Sequence, residues 1–185
     1  MTIPNILTLI RILLTPLLVW LLLNEKLTAA LAVFFLAGIT DGLDGFIARV
    51  FHQKSRLGAY LDPLADKILL VSSFILLGHM NLLPNALVVA AVSRDVLILT
   101  GVMTLTFFQV PLEIRPSVLS KLTTLAQIVT VLVTLSHPLA SWAPWFRKSL
   151  YVVTGLLTVA SGFHYTILGF RIWERNRPVG TDGSS

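Results

Sequence analysis

The sequence predicts an all-α integral membrane protein, a bundle of six transmembrane helices. Three observations carry that expectation. The chain of 185 residues is 55% hydrophobic and only 12% charged, against roughly 25% charged in an ordinary soluble domain. Its mean hydropathy is +0.83. The apolar residues gather into six runs, each near the roughly 20 residues that a helix needs to cross a bilayer, and short polar or proline-bearing breaks separate them.

The runs cover about 5–23, 27–50, 60–79, 84–108, 118–136 and 148–170. Their breaks fall at Asn24-Glu25-Lys26, His52 to Gly58, Asn81 to Pro84, Pro111 to Pro116 and Pro138 to Trp145. No internal repeat interrupts them, so residues 1–176 read as one membrane domain. Residues 177–185 carry Pro, Gly, Ser and Asp without an apolar pattern and read as a disordered tail. The chain has no cysteine, which excludes disulfide and thiol chemistry. The opening residues lack the basic start and cleavage site of a secretory signal. The formal net charge is +5. In a membrane protein that excess reads as basic loops facing anionic lipid, and no nucleic-acid partner is expected.

Six spans put both termini on the same side as the second and fourth loops. That side carries Arg49, Lys54, Arg56, Arg115, Lys121, Arg171, Arg175 and Arg177, and the other only Lys26, Arg147 and Lys148. Lysine and arginine favour the cytoplasmic side, so termini and second loop are expected in the cytoplasm. Trp142 and Trp145 then read as an outer interfacial belt and Trp173 as an inner one.

In the first span Asn5, Thr8 and Arg11 recur every third residue and share one side near the cytoplasmic end. Two readings are open: a helix cap with a snorkelling arginine, or the polar edge of a site. The second span ends in DGLDGFIAR. At about 100° per residue, Asp41, Asp44, Gly45, Ala48 and Arg49 fall within roughly 140° of one helical face. That face carries two carboxylates, two side chains too small to block a ligand, and a cation. Carboxylates on an apolar helix are costly unless compensated. Arg49 would compensate one, and a divalent ion both.

The third span opens with Gly58, Asp62 and Asp66. The two acids, four apart, stack on one face. Asp62 precedes Pro63 and also reads as an N-cap, and Gly58 as a turn residue. Neither alternative accounts for Asp66, one turn deeper. Lys67 reads as a charge partner or as a phosphate contact. Two carboxylate pairs from facing helices suit hard divalent cations, Mg²⁺ or Mn²⁺. Two such ions about 4 Å apart clamp the attacking and leaving oxygens of a phosphoryl transfer.

The fourth span holds Ser93-Arg94-Asp95 far from its ends, either a buried ion pair or a phosphate-binding group. Arg115 and Lys121 flank the start of the fifth span. Arg115 reads equally as a solvated loop residue. Gln127, Thr123 and Thr124 add polar groups that would face the same cavity. In the sixth span Gly162, His164 and Tyr165 stand together, and the lone histidine reads as a packed or interfacial residue.

The pattern from Asp41 to Asp66, D-x2-D-G-x2-A-R-x8-G-x3-D-x3-D, resembles the signature of the CDP-alcohol phosphatidyltransferases at every specified position. The resemblance runs over about residues 3–172, and IPNILTLIR and SKLTTLAQ fit the phosphatidylglycerophosphate and cardiolipin synthases of that family. SRDVLIL and RPSVLSK lean toward the latter. The resemblance implies an active-site cavity facing the cytoplasm, two divalent metal ions (Mg²⁺ or Mn²⁺), and a homodimer in a bacterial inner membrane. It implies transfer of a phosphatidyl group from CDP-diacylglycerol to phosphatidylglycerol or glycerol 3-phosphate, with release of CMP. Asp41, Asp44 and Asp62 would hold one ion, and Asp41, Asp62 and Asp66 the other. Asp66 would also be the general base. Asn5, Thr8, Asp44, Gly45, Ala48, Arg49 and Gly58 would bind the donor, and Arg94, Arg115 and Lys121 the acceptor. The rival from another class is a small ion-coupled transporter with the acids as its cation site. It lacks the broken midplane helices such proteins use.

Overall fold

The computed structural model describes residues 3–50, 56–107 and 117–175, with side chains except at 3–7, 43–50, 56–63, 105–107, 173 and 175. The chain is all-α. Six helices follow one another: α1 (Ile3–Leu23), α2 (Leu27–Val50), α3 (Arg56–His79), α4 (Asn85–Phe107), α5 (Val118–Leu135) and α6 (Pro144–Arg175). They match the six predicted spans, with two differences. Helix α3 starts at Arg56, which puts Gly58, Asp62 and Pro63 inside it. The turn reading of Gly58 and the N-cap reading of Asp62 therefore do not hold. Helix α6 starts at Pro144, a residue pre-set for the first helical position, and runs on to Arg175. Charges at Arg147, Lys148 and Arg171 end an apolar window without ending a helix.

Within the described residues, Asn85–Thr104, Val118–Leu135 and Pro144–Ile172 are long and apolar enough to cross a membrane. Helices α1 and α2 contribute shorter apolar stretches, Thr8–Leu23 and Leu27–Gly42. The distribution of side chains fits a lipid solvent. Leu13, Trp145, Leu156, Phe163 and Phe170 point outward, while Thr123, Gln127, Thr130, Thr154, Thr158 and Ser161 are buried. Lipid tails are as apolar as leucine, so apolar burial drives little association there, and polar contacts between helices take up part of that task.

Helix α1 packs against α2 and α3, helix α6 against α4 and α5, and contacts of α3 with α4 and of α2 and α3 with α5 join the halves. The α1–α2 and α3–α4 turns use the same closure. Lys26 N–H donates to the Leu21 carbonyl and Leu82 N–H to that of Leu77, 2.9 Å each. Glu25 (φ 56°) and Asn81 (φ 57°) supply the left-handed residue that this helix ending requires. Near the second turn α3 and α4 approach closely: a Cβ on Gly78 would lie 2.7 Å from Val88 Cγ2.

Next to these turns lies the apolar core, with Leu18, Leu22, Phe34, Phe74, Leu77, Leu87 and Leu135. Away from the turns the interior becomes charged. Arg11, Arg94 and Asp95 are buried there. One end of the bundle is thus a packed apolar plug, and the other holds every buried charge among the described residues.

Candidate active site

Three helices converge on one guanidinium. Arg11 of α1 is fully buried, and its Nη2 lies 3.0 Å from Asp41 Oδ1 of α2. Its Nη1 lies 2.6 Å from Asp66 Oδ1 of α3. Helix α1 packs on both α2 and α3, so a side chain on its inward face reaches both. The planar fork of arginine presents two donors in fixed directions, which suits two carboxylates arriving from different helices. The carboxylates are open to solvent: the side chains of Asp41 and Asp66 are 48% and 39% exposed. Among the described residues, a pair of half-exposed acids beside one buried cation leaves a net negative, accessible point. Of the two readings of Arg11, the snorkelling arginine does not hold, because the group points inward. Thr8, one turn earlier on α1, is buried as well.

The sequence places Asp44, Gly45, Ala48 and Arg49 in α2, Gly58 and Asp62 in α3, and Asn5 in α1, but their side chains lie outside the described residues. Arg115 lies outside them altogether. Among the described residues no group of three or more His, Cys, Asp or Glu converges. Asp41 and Asp66 are the described half of the acid quartet. Their convergence from facing helices, their solvent access and their hard oxygen donors fit a divalent cation.

A second cluster starts one residue away. Lys67 turns from α1 toward α4, and its Nζ lies 2.6 Å from Asp95 Oδ1. The same oxygen lies 2.6 Å from Arg94 Nη1. Arg94 also donates through Nη2 to Ser120 Oγ of α5 at 2.6 Å and to Ser161 Oγ of α6 at 3.1 Å. Its Cζ stands 6.0 Å from the centre of the Tyr165 ring, whose hydroxyl accepts from Ser117 N–H at 3.4 Å. Asp95 therefore takes two cations, and this node ties α3, α4, α5 and α6 together. Lys121 is exposed, and no described contact joins it to Arg94.

Sequence reasoning placed Thr123 and Gln127 toward the acceptor cavity, and the structure corrects this. Both are buried against α6, where Thr123 Oγ1 donates to the Leu157 carbonyl at 3.1 Å and Gln127 Nε2 to Thr158 Oγ1 at 3.4 Å. Thr130 meets Thr154 at 2.9 Å, and Thr134 meets Tyr151 at 3.3 Å. They form a polar seam between α5 and α6. Ser120 and Ser161 were missed as partners of Arg94. The signal was present: Thr154, Thr158, Ser161 and Tyr165 recur at helical spacing and mark the inward face of α6. His164 is exposed and stands edge-on to Tyr165. Beside Tyr165 an apolar groove of about 420 Å³ runs between α4 and α6, lined by Leu97, Ile98, Gly101, Gly169 and Phe170 among others.

Comparison with known proteins adds the following. A family profile described as CDP-alcohol phosphatidyltransferase matches residues 1–161. The chain is 38% identical to the cardiolipin synthase (CMP-forming) of Rattus norvegicus, over 89% of this chain and 60% of that protein. It is 36% identical to the human protein of the same name, over the same shares. It is 32% identical to the CDP-diacylglycerol–glycerol-3-phosphate 3-phosphatidyltransferase of Aquifex aeolicus, over 93% of this chain and 98% of that one. The chain spans about 60% of the length of the two mammalian relatives.

Proposed function

We propose, because the chain belongs to the CDP-alcohol phosphatidyltransferase family, that it transfers a phosphatidyl group from CDP-diacylglycerol to the hydroxyl of a glycerol-type acceptor and releases CMP. The observation that carries this reading is the convergence of Asp41 and Asp66, one from each half of the signature, at a single solvent-open point.

In this reading Asp41, Asp44 and Asp62 would hold one divalent ion, and Asp41, Asp62 and Asp66 a second. When bound, such ions neutralise the diphosphate and stabilise charge on the attacking and leaving oxygens. The remaining steps belong to the chain. Asn5, Thr8, Gly45, Ala48, Arg49 and Gly58 would receive the nucleotide and its phosphates. Asp66 would accept the hydroxyl proton as the acceptor oxygen bonds to the phosphorus bearing diacylglycerol. The bond from that phosphorus to CMP breaks, and CMP leaves with the electron pair. Arg94, with Lys67 beside it, would hold the phosphate of the acceptor, and Arg115 and Lys121 would draw it in from the cytoplasmic side. Against a transporter stands the family, which is one of phosphatidyltransferases.

Phosphatidylglycerol is the favoured acceptor. Two observations support it: over about nine-tenths of this chain the two mammalian cardiolipin synthases are more nearly identical to it than the Aquifex enzyme is, and the apolar groove beside Tyr165 offers room for a hydrocarbon chain. Glycerol 3-phosphate is the second reading, supported by the full-length match to the Aquifex enzyme. The basic side of the bundle would face the cytoplasm, in a bacterial inner membrane with the chain as a homodimer. The test gives purified protein CDP-diacylglycerol, Mg²⁺ or Mn²⁺, and each acceptor in turn, then identifies the lipid formed. Cardiolipin with stoichiometric CMP supports the first reading and phosphatidylglycerophosphate the second. CMP released at the same rate without acceptor would make the protein a hydrolase and end both.

A further inference from the structure

We infer that Arg11 is the resident counter-cation of the carboxylate cluster: it holds Asp41 and Asp66 together in the metal-free protein and competes with divalent cations for them. This rests on the metal-dependent reading above.

The argument starts from burial. A fully buried guanidinium is tolerated only with anions beside it, and Arg11 has Asp41 at 3.0 Å and Asp66 at 2.6 Å. The acids need it equally. Two carboxylates brought together from α2 and α3 repel, and that repulsion would push the helices apart. One arginine from α1 offsets it and fixes how the three helices sit. A divalent ion reaching these oxygens meets a positive group already there. The guanidinium and the ion repel, and both draw on the charge of the same two carboxylates. Arg11 therefore weakens metal binding while it stabilises the metal-free bundle.

The test uses Mn²⁺ alone, without substrate or turnover. Mn²⁺ binding is followed by electron paramagnetic resonance on the full chain in detergent, together with thermal unfolding with and without the ion. Arg11→Met is expected to bind Mn²⁺ at least about tenfold more tightly, the scale of one unit charge removed within a few ångströms. Its metal-free melting temperature should fall, and saturating Mn²⁺ should restore most of the loss. If Arg11→Met does not fold, Arg11→Lys carries the same test. Lysine keeps the charge but lacks the fork, so Mn²⁺ binds roughly threefold tighter and the metal-free melting falls less. Unchanged or weaker Mn²⁺ binding in the variant, or a melting loss that Mn²⁺ does not restore, overturns the inference and leaves the proposed reaction standing. A wild-type chain that binds no Mn²⁺ overturns the inference and the metal reading together.

Discussion

Asp66 and Lys67 are neighbours in the chain, yet they belong to two clusters built on opposite plans. Around Asp66 one buried arginine faces two half-exposed acids. Around Lys67 two cations share one buried acid, with the Asp95 side chain 7% exposed. The described part of the first is net negative with exposed acids, and that of the second is net positive and closed around Arg94 and Asp95, with Lys67 at its accessible edge. Charge sign matches the proposed ligands, cations at the first and an acceptor phosphate at the second. The number of acids separates what each cluster costs to break. Arg11 keeps a second acid when Asp41 or Asp66 loses its charge, whereas Asp95 is the one acid paired with Arg94 among the described residues. The first cluster should therefore carry chemistry at a smaller cost in stability, and the second should carry stability along with binding.

The largest expected effect is on turnover at the open cluster. Asp66→Asn should lower CMP formation by at least about 10³-fold, within the range of a lost general base, while nucleotide binding stays close to wild type and the melting temperature falls less than in Asp95→Asn. Near-wild-type rates would remove Asp66 from the chemistry. A collapse in melting temperature would erase the contrast with the closed cluster.

The next effect is on stability, and here the order should reverse. Asp95→Asn leaves Arg94 buried without its acid, which costs on the order of 3–5 kcal/mol. Asp41→Asn leaves the buried Arg11 with Asp66 still beside it, so it should cost less, about 1.5–3 kcal/mol. Unfolding of the two variants side by side in one detergent reads the difference. Equal losses would mean that the two clusters do not differ in the way their acids imply.

Arg94→Ala sharpens the comparison from the binding side. If the closed cluster also receives the acceptor phosphate, KM for the acceptor should rise by about 10-fold to 100-fold, the worth of a charge-assisted hydrogen bond. KM for CDP-diacylglycerol should change little. Equal increases in both would reduce Arg94 to an ion pair that holds the bundle together.

The open cluster was far more legible in the sequence than the closed one. Asp41 and Asp66 stand in a spaced pattern whose periodicity puts each on a helical face, and the family resemblance of that pattern implied that the two faces meet. Arg11 was legible only as a polar position. Whether it turns outward to headgroups or inward to acids depends on how α1 packs on α2 and α3, a long-range fact without a local signature. The closed cluster is assembled from single residues on four helices, Lys67, Asp95, Ser120 and Ser161 among them, and no spacing along one helix links them. Helix ends show the same limit. The runs at 27–50 and 118–136 nearly coincide with α2 and α5 because turn residues bound them. The start of α3 and both ends of α6 were misplaced because apolar length measures the membrane and not the helix.

The smallest effect tests whether the α5–α6 seam belongs with either cluster. Thr130 and Thr154 are fully buried and lie 2.9 Å apart, far along the seam from Arg94. Each hydroxyl also reaches a carbonyl of its own or the facing helix, with Thr130 Oγ1 2.8 Å and Thr154 Oγ1 3.5 Å from the Ala126 oxygen. Thr130→Val keeps the shape and removes one hydroxyl, so it should cost about 0.6 kcal/mol, the usual worth of a hydrogen bond between membrane helices. Neither KM should move. The loss is small because the partner hydroxyl can turn to a backbone carbonyl, an option that a stranded guanidinium at Arg94 does not have. A loss approaching that of Asp95→Asn would show that the seam and the closed cluster melt as one unit, and burial of charge would no longer be what sets the stability of this half of the bundle.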